Sequence, residues 1–140
     1  MSFEINRRDA LLGVAASAFA LAHASAAHAE MAHGMDACIA ECERSKRACL
    51  ETARYCLEKG GSHAKAAHVR LLLDCAEICQ TTANFMLRGS PLHGTVCESC
   101  AEICDRCAES CEAFQEEATL KSCAEVCRTC AKSCREMARM

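Results

Sequence analysis

Cys97-Glu98-Ser99-Cys100-Ala101-Glu102-Ile103-Cys104-Asp105-Arg106-Cys107-Ala108-Glu109-Ser110-Cys111 returns a cysteine every three or four residues. Those are the a and d positions of a helical heptad, where a bundle ordinarily places leucine. The same spacing recurs outward from this stretch. Cys123, Cys127, Cys130 and Cys134 follow it, with Met137 continuing the stripe. Upstream, Cys38, Cys42, Cys49 and Cys56 leave Ser45 and Thr52 or Ala53 at the intervening inward positions. A sparser stripe holds Cys75 and Cys79, with His68, Leu72 and Met86 a heptad away from one or the other. The unit Cys-Ala-Glu-Ile/Val-Cys occurs at 75–79, 100–104 and 123–127, which suggests duplication of one helical unit. All 15 cysteines of the 140 residues fall between Cys38 and Cys134, so the core of this chain is expected to be largely sulfur.

Gly60-Gly61-Ser62 and Gly89-Ser90-Pro91-Leu92-His93-Gly94 are the strong breakers, and a weaker break falls between Glu117 and Ser122, where Thr119 offers a helix cap. The spacing predicts helices over about 36–59, 62–88, 95–117 and 120–138. Short connections make sequential helices antiparallel, so the expected fold is all-α, an up-down-up-down four-helix bundle with a cysteine-lined core. With no Trp and one Tyr, an aromatic core is not expected. Ile39, Leu50, Leu57, Leu71, Leu72, Leu73, Ile78, Ile103, Val126 and the alanines are expected to pack the helices without metal.

Residues 1–29 read as an address: Arg7-Arg8 precede an apolar run from Ala10 to Ala22 and the cleavage-like Ala27-His28-Ala29. The paired arginines match a twin-arginine export signal, implying a periplasmic or cell-envelope location and a folded domain of residues 30–140. The apolar run is too short for a spanning helix. A net charge of −3 suggests neither nucleic acid nor an acidic membrane as partner.

Residues three or four apart on a helix have Cβ atoms roughly 5–6 Å apart, wider than the roughly 3.5–4.5 Å a disulfide prefers. A cation held linearly by two thiolates at about 2.3 Å each spans that face without bending it. Six such i, i+4 pairs occur: Cys38/Cys42, Cys75/Cys79, Cys100/Cys104, Cys107/Cys111, Cys123/Cys127 and Cys130/Cys134. Soft thiolates at low coordination number favour Cu(I), and all fifteen cysteines are candidate ligands, Cys97 included. The Cys-x-x-Cys pairs lack the turns of a zinc ribbon, and the ferredoxin Cys-Pro signature is absent. Two other readings stay open: an exported helical domain stapled by disulfides, or a single Fe–S or copper cluster for electron transfer or sensing. No nucleophile–base arrangement or phosphate-cradling loop points to an enzyme.

Taken together, the Cys-x-x-x-Cys pairs on four helices, the start Met31-Ala32-His33-Gly34-Met35 and the arginine leader resemble the bacterial copper storage proteins. The resemblance spans residues 31–140. It implies many Cu(I) ions along the bundle axis, a homo-oligomer (commonly a tetramer), and copper donor or acceptor proteins as partners. Antiparallel threading would gather Met31, His33, Met35, Met86, His93, Met137 and Met140 at one end. Uncharged thioether and imidazole there could pass Cu(I) to the thiolates, making that end a mouth. The opposite end offers chiefly His63, and His68 on the inner stripe is a possible extra ligand.

Overall fold

The computed structural model describes residues 7–114 and 116–140, with side chains from residue 23 onward. Among the described residues there are four helices: α1 (Arg7–Lys59), α2 (Ala66–Leu87), α3 (His93–Glu112) and α4 (Ala118–Ala138). Two units divide between His33 and Gly34. In the first, α1 already runs from Arg7, well before the expected start near 36, because its alanine-rich sequence is a strong helix former. Met1 to Asn6 of the expected leader lie outside the described residues. In the second, residues 34–140 form the antiparallel bundle. Among the described residues no helix is long and apolar enough to cross a membrane.

Glycine ends the first two helices. Gly60 (φ 73°) and Gly61 (φ 59°) occupy the left-handed region, and the Gly60 N–H reaches back to the Cys56 carbonyl at 3.0 Å. After α2, Gly89 (φ 62°) lets the Ser90 N–H bond to the Phe85 carbonyl at 3.0 Å. The first and last turns are longer than the sequence suggests, and the middle one is not: residues 61–64 are a turn, so α2 starts at Ala66, α3 already starts at His93, and α3 ends at Glu112, short of 117. Thr119 does not cap α4, since Glu117 occupies the cap position and makes no capping bond.

Glu117 is otherwise engaged. Its carboxylate accepts a hydrogen bond from Tyr55 Oη at 2.6 Å and pairs with Lys59, tying the α3–α4 turn to α1. The carboxylate's pKa falls to about 2, chiefly through the bond from Lys59 and then that from Tyr55. A carboxyl depressed on folding stabilises the native state above its unfolded value, near 4.3, and loses that contribution as pH falls toward about 2. Glu117→Gln should therefore melt below the wild type at neutral pH, with the gap closing through this acid window. Melting temperatures at stepped pH check it; a gap independent of pH would contradict the tie.

The Cys-Ala-Glu-Ile/Val-Cys units show how the stripe enters the core. Ala76, Ala101 and Ala124 are buried beside their cysteines, Glu77, Glu102 and Glu125 face solvent, and Ile78, Ile103 and Val126 sit at the boundary. Buried alanine lets the helices approach closely enough for opposed thiols to meet. Larger apolar groups are few: Leu72, Leu120, Met86 and Met137 are the main ones fully inside. Leu50, Leu57 and Leu73 lie 42–60% exposed, contrary to the expected packing role. Each directly follows an inward residue (Cys49, Cys56 or Leu72), and the ~100° turn per helical residue carries it out of the core. Arg128 binds Asp105 at 2.8 Å and Glu112 at 2.9 and 3.1 Å, clamping α4 to α3 from outside.

Candidate metal centre

The register that buries the stripes brings all fifteen cysteines inside as free thiols, each no more than 2% exposed. Ser45, Thr52 and Ala53 are buried with them, at the inward positions the spacing assigns. Most sulfur contacts run between helices. Cys38 and Cys42 lie 3.7 Å from Cys134, and Cys42 lies 3.8 Å from Cys130. Cys49 approaches Cys127 at 3.6 Å and Cys107 at 3.8 Å. Cys79 lies 3.6 Å from Cys104 and 3.7 Å from Cys100. Within one helix, Cys100 and Cys104 are 3.9 Å apart.

These contacts resolve into clusters whose sulfurs all lie within 4.8 Å of one another. Along the axis they are Cys38/Cys97/Cys134, Cys42/Cys100/Cys130/Cys134, Cys79/Cys100/Cys104/Cys130, Cys49/Cys75/Cys107/Cys127 and Cys107/Cys111/Cys123. Cys134 links the first two clusters, Cys100 and Cys130 the second and third, and Cys107 the last two, while the third and fourth share no member and meet through the 3.6 Å contact of Cys104 with Cys75. The building unit is thus a cross-helix group to which single helices contribute one or two thiols. Two thiolates bound linearly stand about 4.6 Å apart at ~2.3 Å per bond, within the 4.8 Å limit of these clusters and wider than their closest contacts.

Mutual hydrogen bonding divides the thiols electrostatically. Bonding to Cys134 lowers the pKa of Cys38, bonding to Cys104 lowers Cys75 and Cys100, and bonding to Cys107 lowers Cys123. Hydrogen bonding to Cys100 raises Cys104, and bonding to Cys111 raises Cys107.

Cys56 stands apart from every cluster. Its sulfur lies 3.6 Å from His68 Nε2, while His68 Nδ1 is 2.7 Å from Ser110 Oγ. Burial raises the Cys56 thiol and lowers His68, keeping both neutral. Phe114 packs against His68 at 5.0 Å and His63 at 4.6 Å between ring centres, so this end is closed by an aromatic–histidine plug. No periodic signal marks it in the sequence, because Phe114 lies beyond the end of α3 and outside any stripe.

At the other end, a Cβ on Gly34 would lie 3.5 Å from Met137 Cε and 3.6 Å from Met140 Cε. One on Gly94 would lie 3.5 Å from the Ala138 carbonyl. The starts of α1's bundle segment and of α3 therefore meet the end of α4. Met86 and Met137 are buried there, Met35 packs against the core, and Met140 is exposed. His93 is half-buried, its Nδ1 held 2.8 Å from the Ser90 carbonyl. Met31 and His33 belong to the preceding unit and are exposed.

A family model described as copper storage protein matches residues 28–139. A Bacillus subtilis (strain 168) protein, the uncharacterized cysteine-rich protein YhjQ, is 35% identical over 68 residues, 49% of this chain and 63% of its own length. The crystal structure of Nmul_A1745 from Nitrosospira multiformis is 49% identical with a TM-score of 0.72, covering 76% of this chain and 96% of that one. The Cu(I)-bound copper storage protein BsCsp3 is 34% identical with a TM-score of 0.70, over 75% of this chain and 98% of its own. A copper-loaded cytosolic copper storage protein from Streptomyces lividans is 28% identical with a TM-score of 0.75, over 80% and 98%.

Proposed function

Since the chain belongs to the copper storage protein family, we propose that its bundle stores many Cu(I) ions on the buried thiols and acts as a copper store or buffer. One observation carries this reading: every cysteine but Cys56 falls in a cross-helix cluster, and the clusters run the length of the bundle. A protein built around one electron-transfer centre would need only one of them. Unpaired thiols throughout support storage over the disulfide-stapled alternative. Nothing in this role requires catalysis.

The mouth we propose is the methionine-rich end, where Met35, Met86, Met137 and His93 adjoin Cys38, Cys97 and Cys134. Met31 and His33, the other soft, uncharged donors expected from the sequence, lie in the preceding unit. Residues 1–29 we read as a twin-arginine leader on the strength of Arg7-Arg8 and the alanine-rich run after them. Family membership alone does not set the compartment, since the Streptomyces relative is cytosolic. Assembly into a homo-oligomer, with further copies covering Leu50, Leu57 and Leu73, completes the proposal, as do copper donor and acceptor proteins.

A reusable store must survive being emptied. Leu72, Leu120, Met86 and the buried alanines pack the helices without metal, unlike a zinc finger, which folds only on its ion. Circular dichroism of the reduced chain should show full helicity before loading and after removal of copper by a chelator, with reloading to the same count. A random-coil spectrum of the emptied chain would contradict the reading.

A further inference from the structure

Ser45 is fully buried in the middle of α1, on the stripe that otherwise carries cysteines. A serine within a helix usually satisfies its hydroxyl on the carbonyl one turn back. Thr82 does this at 2.8 Å to Ile78, Thr129 at 3.0 Å to Glu125 and Ser99 at 3.3 Å to Thr95. Ser45 does otherwise: its Oγ faces three sulfurs, Cys127 at 3.7 Å and Cys75 and Cys104 at 3.9 Å. Cys75 and Cys127 belong to one four-thiol cluster, Cys104 to the next. Among the described residues, Ser45 brings the only oxygen donor to the sulfurs of these two clusters.

A thiol hydroxyl neighbour changes role on loading. Before metal arrives, Oγ can accept an S–H. As copper replaces the thiol protons, a partly filled cluster holds more thiolates than cations, and its excess negative charge is buried. A hydroxyl proton pointed at those sulfurs stabilises that charge without adding a soft ligand, since oxygen binds Cu(I) poorly. The same hardness leaves a break in the sulfur lattice on the α1 side of the junction.

We propose that Ser45 is a positioning residue for copper: it donates a hydrogen bond to the thiolates where the two central clusters meet, beside the 3.6 Å contact of Cys75 with Cys104, and strengthens their partly loaded states without adding a soft donor. This inference rests on the storage reading. It concerns how the partly filled central clusters are stabilised, and it can fail while the store stands.

The test is anaerobic Cu(I) titration of the reduced protein against a competing chelator, for the wild type, Ser45→Ala, Ser45→Cys and Thr82→Val. The last removes a buried hydroxyl that is satisfied on its own helix. Ser45→Ala should keep the wild-type count but weaken one or two ions roughly tenfold, the usual scale for losing a hydrogen bond to a charged group. Ser45→Cys should bind about one ion more, and Thr82→Val should overlay the wild type. Melting temperatures of the metal-free proteins separate lost packing from lost ligand support. The proposal is overturned if Ser45→Ala overlays the wild type, if Thr82→Val weakens binding as much, or if Ser45→Cys gains no capacity. A wild-type protein that stopped at four ions would instead fail the storage reading itself.

Discussion

Cys104→Ser should remove two or more bound coppers, whereas Cys56→Ser should remove at most one. Cys104 lies 3.6 Å from both Cys75 and Cys79 and 3.9 Å from Cys100, with Cys130 in the same cluster. A thiolate so surrounded can bridge ions held by α2, α3 and α4 together. Cys56 lies 3.6 Å from His68 and joins no cluster. Serine nearly preserves the volume of cysteine while replacing a soft anionic ligand with a hard neutral one, so the comparison reads ligation more than packing. Copper counts per chain from metal analysis of the loaded, desalted variants decide it. Equal losses from the two substitutions, or none from either, would contradict clustered thiolate binding.

That comparison also marks how far the sequence could be read. From spacing alone, Cys104 is expected to work with Cys100 on its own helix and with Cys127 on α4. The Cys100 contact is present, but the closest partners are Cys75 and Cys79 on α2, the α4 member of the cluster is Cys130, and Cys127 is reached through Ser45. A heptad pattern states which residues share an inward face. It does not state the axial offset between facing helices, and that offset decides which sulfurs meet.

The inward face itself was fully legible. Every cysteine of the four stripes is buried, and so are Ser45, Thr52 and Ala53 between them. The exposure of the leucines is legible too, from helical rotation one residue past each inward position. Leu50 and Leu57 each follow a buried cysteine directly, a step of ~100° that leaves the core face. Phe114 and Glu117 were not, because they act from a turn. Phe114 stacks on His63 and His68, and Glu117 takes the bond from Tyr55, contacts set by chain reversal and without periodic signature.

The largest expected effect is the capacity of the whole bundle. Thiolates that each bridge two linearly held ions permit about one copper per cysteine, and this chain has 15 cysteines. Cys100, Cys107, Cys130 and Cys134 each belong to two clusters, the placement a bridging thiolate requires. A protein with one functional cluster would fill only the sulfurs of that group and leave the remaining thiols open to alkylation. The most direct measurement is anaerobic titration of the reduced wild-type protein with Cu(I) in the presence of a competing chelator. Storage predicts tight binding that saturates near 15 ions per chain, with no alkylatable thiol left at saturation; saturation at four ions or fewer, with most thiols still reactive, would contradict it.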